Sequence, residues 1–273
     1  MKIETVRTSD FAMRYFRFGN ADAMPLVVLP GLSVKSVMES ADTIAGVFTK
    51  LGAHFDVYVM DRRSDLPEAY SMEDMAEDTA AAIKAIGLKE VFLYGVSQGG
   101  MMAQLIAVTH PELVRAMILA STTSRVEKDT EDMFAQWTGL ARDGKTADLI
   151  DAFSERIYSP AFYKKYRKIF RMMASTVTKE DLSRFVILAE SMRGLDITDR
   201  LSSITCPVLV IGAEGDRVIP VEAAQRIAGA AGKRIAGAVG TEIYIYPGYS
   251  HAVYDEAADF QDRLDAFFAA CRG

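Results

Sequence analysis

Only two cysteines and three histidines occur in this chain of 273 residues. That scarcity excludes much. Cys206 precedes an apolar run and Cys271 lies two residues from the end, a spacing that fits neither a disulfide framework nor a zinc site. Both read as free thiols in a reducing compartment. No apolar run approaches the 18 or so residues of a membrane span. The opening stretch MKIETVRTSD lacks the apolar core of a signal peptide. Positive charge is not in excess either: 31 Lys and Arg stand against 37 Asp and Glu, a formal net charge of −6. The acids are scattered, so the average surface would repel nucleic acid. The expectation is a soluble cytoplasmic protein with neither nucleic-acid nor membrane partners.

What the chain does have is apolar mass, 50% of its residues, with 25% charged. That is enough for a large core and gives no sign of disorder. Eight short runs read as strands: KIETVR, RYFRFG, PLVVLP, FDVYVMD, EVFLYG, VRAMILAS, CPVLVIG and EIYIYP. The first two alternate, as half-exposed antiparallel strands do. Most of the others are almost unbroken apolar runs, as in strands buried on both faces of a parallel sheet. Helix-length segments lie between many of them. In SMEDMAEDTAAAIKAIG, Ser71 and Asp74 can cap the helix start, and Gly87 stands where it would end. The fold class is therefore α/β with right-handed crossovers. From about Thr123 to Asp199 strand signals stop and only helical spacing remains. We place an α/β core at residues 1–124 and 200–273, with a helical insertion at 125–199 on the sheet's rim.

Gly95-Val96-Ser97-Gln98-Gly99 falls where a strand should turn into a helix. A serine on such a sharp turn takes a strained backbone conformation, and the residues two positions away must be tiny. The turn raises the hydroxyl above the sheet edge and aims a helix N-terminus at whatever it attacks. The plainer alternative is a glycine-rich turn with Ser97 as an N-cap.

A serine hydroxyl needs a base, and histidine is the usual one near neutral pH. His54 leads into a strand on the side of the sheet away from the strand ends. His110 ends the helix that starts after Ser97, roughly 18 Å away at 1.5 Å per residue. His251 follows the last strand, in a loop with Pro247 and Gly248, at the sheet edge where ligands bind. It is the candidate base. Its acidic partner should come from PVLVIGAEGDRVIP. There Asp216 lies just past the turn, before the helix that Pro220 begins, and Glu214 is its rival.

The chain order Ser97, Asp216, His251, together with GVSQGG, HPELVRAMILAST, CPVLVIGAEGDRVIP and GYSHAVYDE, resembles the α/β-hydrolase fold in its capped serine esterase and lactonase-like branch. The resemblance covers nearly the whole chain and is weakest over the insertion. It implies an eight-stranded, mostly parallel sheet with the second strand antiparallel, and a helical cap between strands six and seven. It also implies an oxyanion hole of two backbone N–H groups, those of Gln98 and Leu32. Pro30-Gly31 stands where the family often has His-Gly, and Gly31 still permits the turn. After VYVMD, where relatives carry an arginine and two glycines, this chain has DRRSDLPEAYS. Arg63 matches and the glycines are replaced, so either the loop is restructured or Asp65 and Tyr70 alter the pocket mouth.

These readings converge on a hydrolase of small carboxylic esters or lactones acting through an acyl-enzyme on Ser97, with no cofactor and no metal. The same triad also serves aminopeptidases, carbon–carbon bond hydrolases and perhydrolase-type haloperoxidases. An aminopeptidase would need acids in the insertion; Glu131, Asp132 and Glu155 are available. The last group typically has an aromatic where Leu32 stands. A ligand receptor with little turnover is the non-enzymatic alternative. In the insertion, Met133, Phe134, Trp137, Tyr158, Phe162, Tyr163, Met172, Met173, Phe185 and Met192 divide between packing and an apolar pocket wall. Lys164, Lys165, Lys168 and Arg171 share a helical face, read as solvated or as a rim drawing in anionic substrates. The partner expected is a small acyl substrate; self-association is left open.

Overall fold

The computed structural model describes residues 1–231 and 240–272. All eight expected strands are present: β1 (Ile3–Arg7), β2 (Ala12–Gly19), β3 (Pro25–Leu29), β4 (Asp56–Arg63), β5 (Val91–Val96), β6 (Val114–Ala120), β7 (Val208–Ala213) and β8 (Thr241–Tyr246). They form one sheet in the order β1-β2-β4-β3-β5-β6-β7-β8. β2 runs antiparallel to both neighbours, and the remaining pairings from β4 to β8 are parallel. The burial of each strand follows its sequence pattern. β5 and β7 are buried at every position, whereas β1 alternates toward solvent.

Helices cover both faces. In chain order they are α1 (Ala41–Val47), α2 (Thr49–Gly52), α3 (Met72–Ile86), α4 (Gln98–Thr109), α5 (Lys128–Arg142), α6 (Thr146–Ile157), α7 (Pro160–Ala174), α8 (Lys179–Glu190), α9 (Val221–Ala231), α10 (Val253–Glu256) and α11 (Phe260–Cys271). One core joins the sheet to α3, α4 and α9 through Met75, Ile83, Met101, Leu105 and Ile227. The opposite core packs Leu51 of α2 and Phe260, Leu264 and Phe268 of α11 under Phe55 and Phe92. The start of α3 is the expected reciprocal cap: the Ser71 hydroxyl accepts from Asp74 N, and the Asp74 carboxylate accepts from Ser71 N. Gly87 ends the helix at φ 92°, a conformation that favours glycine.

Four helices, α5 to α8, intervene between β6 and β7. The chain leaving and re-entering the sheet pairs at the base of this segment. Val126 N donates to Leu195 O at 2.9 Å, and Ile197 N donates to Ser124 O at 2.9 Å. Inside it, Trp137 packs edge-on against Phe153 at 4.8 Å between ring centres, and Phe153 packs edge-on against Phe185. Burial of Met133, Phe134, Trp137, Phe185 and Met192 gives these residues a packing role.

Candidate active site

Ser97 occupies the turn from β5 into α4 at φ 51° and ψ −119°. A β-carbon residue there is held against about 1–3 kcal/mol of backbone strain. The surroundings fix the strain in place. Ser97 N donates to Ala120 O at 2.9 Å, and its carbonyl accepts from Gly100 N and from the Thr122 hydroxyl. The hydroxyl makes no capping bond to α4, so the N-cap alternative does not describe this serine.

The three glycines around it each prevent a different collision. A Cβ on Gly95 would lie 2.6 Å from Gly99 O, and one on Gly99 would lie 1.9 Å from Leu29 O at the end of β3. A Cβ on Gly100 would meet the Thr122 side chain at 2.7 Å. Gly99 therefore serves the approach of α4 to β3 as much as the turn itself. On the other side of Ser97, a Cβ on Gly31 would stand 3.2 Å from Ser97 Cβ, so the loop after β3 passes directly beside the serine. Neither Leu32 N nor Gln98 N donates to a protein acceptor among the described residues. These two backbone donors are thus left unpaired.

Asp216 follows β7 and has a side chain 1% exposed. Its Oδ1 accepts from Val218 N and Ile219 N, both at 2.8 Å, and its Oδ2 lies 2.8 Å from His251 Nδ1. Glu214, the rival, is exposed. His251 is buried after β8, and its carbonyl accepts from the Ser121 hydroxyl at 2.7 Å. With Asp216 at Nδ1, the Nδ1–H tautomer leaves Nε2 as the free basic atom. Ser97 and His251 are both tied to the end of β6, through Thr122 and Ser121 respectively. Among the described residues neither Ser97 Oγ nor His251 Nε2 has a hydrogen-bond partner. The other histidines lie elsewhere: His54 meets Asp265, and His110 meets Glu77.

A cavity of about 410 Å³ adjoins the serine. Its wall includes Gly31, Leu32 and Val96 around Ser97, Ile44 and Phe48 beside α1, and Ile150, Phe153, Phe170 and Met173 from α6 and α7. Neither Ser97 nor His251 is part of that wall. Of the aromatic and methionine residues singled out in the insertion, Tyr158 and Met173 line the cavity. Asp255 is the acidic residue in the lining, and Tyr158 donates to it at 3.2 Å. Burial pushes its carboxyl up to about 6. Glu131, Asp132 and Glu155 do not line the cavity. The cationic face of α7 points to solvent, with Arg171 paired to Asp151. Burial pushes the Cys206 thiol up to about 12, which makes it an unreactive core group.

The loop after β4 is restructured rather than part of the pocket mouth. Arg63 donates to Asp65 O and pairs with Asp78, which also accepts from the buried Tyr70. Arg62, its neighbour, is the residue that sequence reasoning passed over. It is 4% exposed and donates to Pro30 O and to the Gln98 side chain. Its signal was a charge inside the Asp61-Arg62-Arg63 run that ends β4.

Fold and site together define an α/β sheet enzyme with a serine elbow and a carboxylate–imidazole pair at one edge. The model of the alpha/beta hydrolase family matches residues 26–263, and the chain belongs to that family. It is a hydrolase by that membership. The 3-oxoadipate enol-lactonase 2 of Acinetobacter baylyi is 22% identical over 223 residues, 81% of this chain and 82% of that protein. A Serratia proteamaculans protein provisionally named carbamate hydrolase RutD is 21% identical, covering 66% of this chain and 70% of its own. Among solved structures, MGS-M2, an alpha/beta hydrolase from a Medee basin deep-sea metagenome, superposes with a TM-score of 0.84. It is 20% identical, over 97% of both chains.

Proposed function

We propose that the protein is a serine hydrolase of small carboxylic esters or lactones, with residues 125–199 acting as a cap over the site. The observation that carries this reading is the fully committed carboxylate of Asp216. Two backbone N–H groups hold one oxygen and His251 Nδ1 meets the other, and the Ser97 hydroxyl is left uncommitted. A structural ion pair would not need an imidazole with a free Nε2 at the strand ends.

The chemistry follows. Ser97 Oγ attacks the carbonyl carbon while its proton passes to His251 Nε2, and Asp216 holds the imidazolium that forms. Leu32 N–H and Gln98 N–H receive the oxyanion; one such donor is worth about 3 kcal/mol. Collapse breaks the bond to the leaving oxygen, which takes the proton from Nε2. Water then attacks the acyl-enzyme, gives its proton to Nε2, and Ser97 leaves with that proton as the acid departs. Contacts between nucleophile and base are often long in free enzymes and tighten once substrate is bound. The apolar cavity suits an acyl or alcohol chain. Two named relatives act, by their names, on an enol-lactone and a carbamate, both carbonyl compounds with an oxygen or nitrogen leaving group.

Ser97→Ala tests the reading. Turnover of p-nitrophenyl butyrate should fall on the order of 10⁴-fold or more. Undiminished turnover would remove Ser97 from the mechanism.

A further inference from the structure

The polar residues buried behind the candidate site form a network that the triad chemistry does not use. Arg62 Nη2 donates both of its hydrogens inward, one to Pro30 O at 2.7 Å and one to Gln98 Oε1 at 2.8 Å. Pro30 lies two residues before Leu32, and Gln98 carries the other free N–H. A single nitrogen therefore ties together the two chain segments that present these donors. Gln98, fully buried, turns its Nε2 toward Leu188 O at 2.6 Å and Ser191 Oγ at 3.3 Å, at the end of α8. Beside it the buried Asp61 accepts from Arg62 N, from the Ser36 hydroxyl, and from Arg184 of α8. Ser36 in turn accepts from Met38 N, in the same loop that carries Leu32.

A guanidinium is an expensive group to bury, and this one leaves its Nε without a partner. Burial pulls Arg62 below the usual arginine value, to about 10, so it stays charged at neutral pH. A methionine or leucine would fill the space without that desolvation. What an apolar side chain lacks is the two-way bond.

We infer that Arg62 is a positioning residue: through Pro30 O and the Gln98 amide it sets the spacing of the two oxyanion donors and joins that spacing to the seating of α8. This rests on the proposed roles of Leu32 N–H and Gln98 N–H. Arg62 touches no reacting atom. Its effect should appear in the transition state and leave ground-state binding alone.

The test uses the full chain with Arg62→Met, Arg62→Lys, Gln98→Ala and the Arg62→Met/Gln98→Ala pair, assayed on p-nitrophenyl butyrate. Gln98→Ala keeps the backbone N–H and removes only the amide. Arg62→Met should lower kcat about 10- to 100-fold, a fraction of the loss of a whole donor, with KM within about twofold. Affinity for a trifluoromethyl ketone, which forms an oxyanion on Ser97, should fall by the same factor as kcat/KM. Arg62→Lys should recover part of the loss. The double variant should lose clearly less than the two single losses combined, because the variants share the Arg62–Gln98 bond. An Arg62→Met enzyme with unchanged kcat would overturn the inference. So would a loss matched by a loss of active sites titrated at Ser97, or additive effects in the pair. If Arg62→Met does not fold, Arg62→Lys and Gln98→Ala carry the same comparison. Ser97→Ala keeps the two claims apart: an inactive Ser97→Ala beside a fully active Arg62→Met sinks only the positioning role.

Discussion

The edge of the sheet and the helices above it are built differently. At the edge, Ser97 N, the Asp216 carboxylate and the His251 carbonyl are each held by hydrogen bonds of 2.7 to 2.9 Å, and close packing rules out even a methyl group on Gly99. In α7, by contrast, only Ala174 is fully buried, and Ile169, Met172 and Met173 are 53%, 72% and 48% exposed. Phe170 and Met173 of that helix nevertheless wall the cavity. The part that would do the chemistry is over-determined, and the part that would meet the substrate's chain is loosely held. Such a division lets one sheet serve many substrates through changes in the helices.

The sharpest break of this comparison is Gly99→Ala. Its Cβ would meet backbone atoms of Leu29 and Pro30, which cannot give way as a side chain does. Stability should fall by about 4 kcal/mol or more, read from urea unfolding. A loss under about 1 kcal/mol would mean the elbow is looser than described.

Next in size is the cavity wall. Met173→Trp adds bulk at a half-exposed position lining the cavity. The ratio of kcat/KM for p-nitrophenyl octanoate to that for the acetate should drop about tenfold, with the acetate value little changed. An unchanged ratio would place the substrate's chain elsewhere.

The smallest effect concerns Asp255. Its carboxyl, pushed up by burial to about 6, lies above the ~3.9 of an unfolded aspartate. The stability it contributes is therefore full below about pH 4 and lost as pH rises through about 6. Asp255→Asn should raise Tm relative to the parent at pH 8 and not at pH 4. The gain is modest because the side chain still opens to solvent. An equal gain at both values would assign the effect to the hydrogen bond from Tyr158 instead of to charge.

The eight strands were legible because each carries a local signal, alternation in the first two and a nearly unbroken apolar run in most of the others, and the antiparallel β2 followed from the resemblance. Ser97, Asp216 and His251 were legible because each sits just beyond a strand, where backbone direction alone sends it to one edge. Arg62 was not, since its partners depend on β4 lying next to β3, which in turn lies next to β5. That adjacency is a property of sheet order, not of spacing along the chain. The cavity wall was partly hidden for the same reason. Ile150, Phe153 and Phe170 share helical spacing with Trp137 and Phe185, yet only the first three face the cavity. Which side of a helix meets a void is set by how four helices pack together.

The reactivity of one hydroxyl separates a working hydrolase from a scaffold that only holds a ligand. Treatment of the intact protein with a fluorophosphonate, followed by peptide mass mapping, reads it directly. The account predicts a single adduct, on Ser97, formed far more slowly in His251→Ala. No adduct, or one on another residue, would contradict it.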